Sequence, residues 1–274
     1  MSAKLPPHLT TKMNGPPKFE VGLKPIAIEN WLFPDDQNHW LEGKGKLLSL
    51  KTDDVYASLG DTEEIQAELA QLVCAAANQE ITNGEPLLIG ASRLVSDDLI
   101  IMDKRDGVWT LVAATLCAPT FFNAQYAIGK SLSLLHDPIP SGDFDLSGRI
   151  ARVFDNFAPD MVLERFNWTV QWCDERYTPN GAKLREAAQN AQLNEAPNML
   201  YERVERQTIR KLPKTGAVVF TIRIRLSKLS DLLQNKDEYI AFENAWKNAP
   251  QNVREYKKWA TLERHVTHLL EIMR

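Results

Sequence analysis

The stretch "YERVERQTIRKLPKTGAVVFTIRIRL", residues 201–226, constrains this chain more than any other. Its two halves alternate with period two, are rich in β-branched residues and flank "PKT", so they read as a long antiparallel hairpin. Alternation sends Val218, Phe220, Ile222 and Ile224 to one face, and Ala217, Val219, Thr221, Arg223 and Arg225 to the other. The first face is core. The second carries a Thr-x-Arg-x-Arg row, and Arg203, Glu205 and Gln207 alternate similarly on the partner strand. If Lys211 pairs with Ala217, Glu205 faces Arg223; a shift of one residue brings Val204 there and leaves the guanidinium without a carboxylate. The first register is the expected one, and it makes a fixed, polarised wall able to hold a small polar or charged molecule. The alternative is a surface ladder of alternating charge, worth little beyond solubility.

Around the hairpin, "DTEEIQAELAQLVCAAANQ" predicts a helix, with Asp61 as cap, Glu64 closing a capping box, and Ile65, Leu69, Leu72 and Val73 at helical spacing. The runs "EPLLIGASRLV", "DDLIIMD" and "GVWTLVAATLC" predict three strands of an antiparallel meander, the second pair joined by Asp103–Gly107. The last segment, "DEYIAFENAWKNAPQNVREYKKWATLERHVTHLLEIMR", predicts two helices, the final one long, with Pro250 near the start of the second. Strands framed by helices indicate an α+β fold with a central antiparallel sheet. Residues 1–18 carry Pro6, Pro7, Pro16 and Pro17 and read as an extended arm; residues 19–274 read as one domain.

Charge and motif content narrow the function. The formal charge is −4 with a pI near 5.8, and no basic run is interleaved with aromatics, so no nucleic-acid partner is expected. The N-terminus has no apolar core of a signal peptide, and no stretch approaches the roughly 18 apolar residues that a membrane span requires, so a cytoplasmic location without membrane contact is expected. Cys74, Cys117 and Cys173 are far apart and encode neither a zinc site, an iron–sulfur cluster nor a disulfide framework; buried thiols are expected. The sequence holds no GxGxxG after a strand, no GxxxxGK[ST], no HExxH and no GxSxG. His265 and His268, at i and i+3, could share a metal, but a solvated helix face is the expected reading.

One histidine stands apart. In "SLLHDPIPSG", residues 133–142, His136 follows a leucine-rich run and precedes Asp137-Pro138-Ile139-Pro140, a segment too rigid to continue a helix or a sheet interior. Such a stem suits an axial metal ligand, and it equally suits a loop leaving an element.

Taken together, "FEVGLKPI", "LVSDDLIIMDKRDGVWTLVAATLCAPTFF", "SLLHDPIP", "VLERFNWTV" and "YERVERQTIRKLPKTGAVVFTIR" resemble the haem-dependent oxidative N-demethylase alpha-subunit-like family, from about Phe19 to the last helix, with Glu202–Arg223 the most specific piece. The resemblance implies a PAS-like haem domain: an antiparallel sheet and flanking helices around one haem b. It implies an oxidoreductase, a monooxygenase that uses O2 to oxidise a small methylated amine such as dimethylamine, releasing formaldehyde. Electrons would come from NADPH through FMN and a 2Fe-2S centre on a partner reductase subunit, in keeping with the absence of those motifs here. The family's histidine before a Pro-x-Pro step falls on His136, which becomes the expected proximal iron ligand, its second ring nitrogen needing a fixed acceptor. Arg223, Glu205 and Thr221 are the expected catalytic wall of the distal pocket. Asn167 and Trp168 of "RFNWTVQW" would meet a polar ligand and the porphyrin plane, with structural packing the equal alternative. Arg165, Arg206 or Lys214 would serve the propionates, unranked. A thiolate from Cys117 or Cys173 ranks below His136 as ligand. The rival reading keeps the haem but makes the protein a gas or redox sensor; in a third, haem is lost and another small molecule is bound.

Overall fold

The computed structural model describes residues 15–33, 40–82, 84–120, 122–137, 139 and 145–274. Residues 1–14 of the expected arm, and Pro138 and Pro140 after His136, lie outside the described residues. Seven strands form one sheet: β1 (Lys24–Ile26), β2 (Tyr56–Ser58), β3 (Asp98–Arg105), β4 (Val108–Thr115), β5 (Val162–Gln171), β6 (Tyr201–Lys211) and β7 (Val218–Lys228). Their order across the sheet is β1-β5-β6-β7-β3-β4-β2, and all neighbours are antiparallel. With helices on both faces, the architecture is α+β, as the sequence indicates.

The long hairpin forms as β6 and β7, but its register is one residue from the expected one: Lys211 pairs with Val218, Glu205 with Ile224, and Arg206 with Arg223. The loop decides this. Leu212 N donates to Ala217 O at 2.7 Å and Gly216 N to Leu212 O at 3.0 Å, with Gly216 at φ 76°, so Pro213–Gly216 turn the chain. Glu68, on the helix Glu63–Ala77, secures that loop by accepting from Lys214 N at 2.6 Å, Thr215 N at 2.9 Å and Thr215 Oγ1 at 2.7 Å.

Elsewhere the local chemistry departs from expectation in four places. Leu87–Arg93 is a helix rather than the first strand of a meander; a short, wholly apolar run has no period to separate the two, and this one is buried from Leu88 to Ser92. Gly90 is required there, since a Cβ would overlap Ile81 Cγ2. β3 and β4 do form the expected hairpin, turned by Asp106 and Gly107 alone, both at positive φ. The helix Glu63–Ala77 is preceded by Thr62 rather than capped by Asp61, because the Thr62 hydroxyl is taken by Leu59 O and Gln66 Nε2. The C-terminal segment divides into Lys236–Lys247, Gln251–Tyr256 and Glu263–Ile272, broken where Lys258 adopts φ 56°. His265 is fully buried and not solvated: it lies in phase with Leu262, Val266 and Leu269, donates Nε2–H to Ala188 O at 2.7 Å, and packs on Trp172.

The sheet is covered on both sides. The face of Val219 and Thr221 packs on the helices Glu63–Ala77 and Leu87–Arg93 through Leu69, Val73, Leu88, Leu99 and Ile101. The face of Ile222 and Ile224 packs on the helices Leu132–His136 and Leu146–Asn156 through Leu132, Ile150 and Phe154. The C-terminal helices build a third cluster around Trp168, Phe242, Trp246 and Trp259. Among the described residues no helix is long and apolar enough to cross a membrane.

Candidate functional site

Strand alternation puts Arg165 and Asn167 of β5, Arg203, Glu205 and Gln207 of β6, and Ile222 and Ile224 of β7 on the face covered by the helix Leu132–His136. Glu205 is the hub of its polar part. Its Oε1 accepts from Thr120 Oγ1 at 2.5 Å, and its Oε2 from Gln207 Nε2 at 3.0 Å and Asn167 Nδ2 at 3.2 Å. Arg203 donates Nε–H to the same Thr120 hydroxyl at 3.0 Å and is anchored by Ala118 O at 2.6 Å and Gln171 Oε1 at 3.3 Å. Lys257 Nζ reaches Asn167 Oδ1 at 3.1 Å. Burial alone would raise the Glu205 carboxyl, but the Arg203 charge, the Thr120 hydroxyl and Lys257 outweigh it and hold the group below the usual carboxylate range. Burial takes the Lys257 ammonium down to about 8, opposed by Glu205 and aided by Arg165.

His136 ends a five-residue helix that opens at Ser131, whose Oγ accepts from Leu134 N at 3.3 Å. Leu132, Leu135 and Ile139 enter the aliphatic cluster of Leu163, Ile209, Ile222 and Ile224 and set the imidazole against this sheet face. Its Nδ1 lies 2.7 Å from Leu132 O. A carbonyl only accepts, so Nδ1 carries the proton and Nε2 keeps its lone pair. Burial, seconded by the Arg165 charge, holds the imidazole below its ordinary value despite that hydrogen bond, which keeps it neutral. Arg165 itself donates Nη1–H to Glu20 O at 2.8 Å, while its Nε is buried with no partner among the described residues. Such an orphaned donor is completed by an anionic acceptor.

Trp168, Arg206, Thr221 and Arg223 face the other side of the sheet. The expected Glu205–Arg223 pair is not made, because a one-residue slip exchanges the faces of every side chain on a strand. Arg223 instead holds Asp97 Oδ2 through Nε at 2.9 Å and Nη2 at 2.7 Å, and Arg206 holds Glu164 Oε1 at 2.5 Å with Trp31 O and Asn30 O on its other two nitrogens. Thr221 Oγ1 bonds Thr208 Oγ1 at 2.7 Å, and Trp168 lies among Phe242 and Trp259. Lys214 is exposed at the hairpin tip. Of the three propionate candidates, Arg165 is the one on the side of His136 and Glu205. Burial pushes the Cys117 thiol up to about 12 and raises that of Cys173, so neither is a thiolate at neutral pH. A cavity of about 380 Å³ beside the helix Leu87–Arg93 contains none of the site residues, and Arg93 there is spent on Glu85.

Residues 57–267 match the family described as haem-dependent oxidative N-demethylase, alpha subunit-like. The chain belongs to this family. Haem dependence, an oxidative demethylase character and partner subunits follow from the family at that level. The demethylase-like chain fits a haem on three counts: a neutral imidazole with a free Nε2, an aliphatic wall from Leu163, Ile209, Ile222 and Ile224, and an arginine N–H still lacking its acceptor.

Proposed function

We propose that this protein is the haem b-holding oxygenase component of an N-demethylase acting on a small methylated amine of the dimethylamine kind, in a PAS-like domain of the cytoplasm. The single observation carrying the reading is the imidazole of His136, tautomer fixed by Leu132 O and Nε2 left as a ligand. In it His136 holds the iron, and Arg165 takes a propionate. When bound, the haem supplies the redox centre at which O2 oxidises the methyl carbon that leaves as formaldehyde.

The chain's own residues do the rest. Ile222 and Ile224 exclude water beside the porphyrin edge and favour methyl over hydroxyl substituents. The ionised Glu205 carboxylate attracts the alkylammonium and accepts its N–H, while Arg203 and Thr120 keep that carboxylate from turning. Asn167 and Gln207 orient the second oxygen. Electrons come from NADPH by way of FMN and a 2Fe-2S centre on a separate reductase subunit.

Absorption spectra with iron analysis, followed by formaldehyde measurement with dimethylamine and a reductant, test this directly. The expected result is a Soret band with stoichiometric iron, lost in His136→Ala, and formaldehyde formed only by the unmodified protein. Unchanged haem content in His136→Ala removes the ligand assignment. A reducible, O2-binding protein that forms no formaldehyde is a sensor and not an enzyme.

A further inference from the structure

Lys257 belongs to two environments at once. Its side chain lines a shallow surface cleft with Gln171, Arg185, Lys258 and Leu262, while its Nζ points inward to Asn167 Oδ1 at 3.1 Å. Gln171 in that cleft also bonds Arg203, so the cleft adjoins the Glu205 network. The charged groups that face the amine are Glu205 and Arg165 from the sheet, with Arg185 and Lys258 along the cleft. Its acceptor is a neutral amide oxygen and not a carboxylate, which leaves the ammonium poorly compensated where it is half-buried. Lys258 next to it adopts φ 56° and ψ 33°, a left-handed conformation that a residue with a side chain rarely takes. The backbone is thus bent to turn Lys257 inward.

We propose that Lys257 captures a small aldehyde, the one-carbon product of the demethylation proposed above, as a reversible imine on Nζ. It relies on that activity only for the source of the aldehyde. The Nζ lone pair adds to the carbonyl carbon, a proton passes from nitrogen to oxygen to give a carbinolamine, and the oxygen leaves as water as the C=N bond forms. Nothing is oxidised or reduced. The protonated imine keeps the positive charge of the ammonium it replaces, so Glu205 stabilises it equally. At pH 7 an amine titrating at about 8 is neutral ~10% of the time, on the order of 100-fold more than an ordinary lysine.

The test adds [13C]formaldehyde and cyanoborohydride to the full-length protein at pH 7 and maps N-methyl-lysine by mass spectrometry over time. Lys257 is expected to label at least ~10-fold faster than the exposed Lys46, with the preference vanishing above pH 10, where every lysine is neutral. Equal or slower labelling of Lys257 overturns the inference. Because the aldehyde is supplied, a protein that makes no formaldehyde from dimethylamine still gives a decisive result here, so the two proposals fail separately.

Discussion

On one face of the sheet, Arg206 and Arg223 stand directly opposite each other across β6 and β7, each with a carboxylate of its own, Glu164 and Asp97, and with the Phe33 ring 4.5 and 5.7 Å from their guanidinium carbons. On the other face, Arg165, Arg203 and Lys257 share the single carboxylate Glu205, and Arg165 Nε has no partner among the described residues. Like charges directly opposite repel, so the first face is stable only because two carboxylates and three backbone carbonyls have been brought to it. Its polar groups are committed. The second face carries more positive than negative charge and one donor to spare, a condition that an added anion relieves. A fold can retain such an imbalance where a ligand completes it, which is why the functional reading rests on the incomplete face.

The largest expected effect comes from attacking the complete face. Arg223→Leu strands Asp97, fully buried, without its guanidinium, and breaking a buried pair from one side costs about 3–5 kcal/mol. A fall in Tm and in the urea midpoint of that size, with haem content per folded molecule unchanged, is the expected outcome. A variant of ordinary stability that has lost amine or O2 binding would return Arg223 to the reactive wall and erase the distinction between the faces.

The neighbouring residues Asp97 and Asp98 repeat the comparison at single-residue scale. Asp97 serves Arg223 on one face, whereas Asp98, paired with Ile222 on the other, accepts from Cys117 N and Ala118 N at 2.9 Å each and so fixes the Ala118 carbonyl that anchors Arg203. Burial raises Asp98 to about 6, against the pull of Lys44 and those two N–H groups. Between its unfolded value of 3.8 and about 6 the folded protein therefore binds a proton that the unfolded chain has released. From this group alone, stability rises as pH falls from 7 toward 4, by at most about 3 kcal/mol. Asp98→Asn is expected to abolish that rise in a pH series of urea midpoints; an unchanged slope would assign it to another group.

How much of this was legible beforehand differs by face. Alternation in "VVFTIRIRL" sorted Ile222 from Arg223 correctly, because period two depends on nothing beyond the strand itself. Which partner residue stood opposite depended on a turn held by Gly216 and by Glu68, about 146 residues away in sequence, and no local pattern reports such a contact. The single slip was enough to put Arg223 and Glu205 on one face in expectation and on two in fact. His136 was legible as a stiffly placed imidazole, but its tautomer needed Leu132 O. Thr120 and Lys257 reach the site from 85 and 90 residues away with no spacing to announce them.

A smaller effect, opposite in sign to that of Asp98, separates the two ends of the incomplete face. Burial and the Arg165 charge depress the His136 imidazole below its ordinary 6.5, with the hydrogen bond to Leu132 O opposing them. As pH falls below 6.5 the unfolded chain takes up a proton that the folded, neutral ring refuses, so this group's contribution to stability is present above that pH and is lost below it. Protonation also consumes the Nε2 lone pair, so haem release should follow the same titration. Soret absorbance followed from pH 8 to 5 is expected to fall as a one-proton transition centred below 6.5, while Arg165→Met, which removes a cation beside the ring, moves that midpoint upward. A midpoint that does not move with Arg165 would mean that the guanidinium and the imidazole do not share a site, and the incomplete face would then divide into two unrelated polar patches.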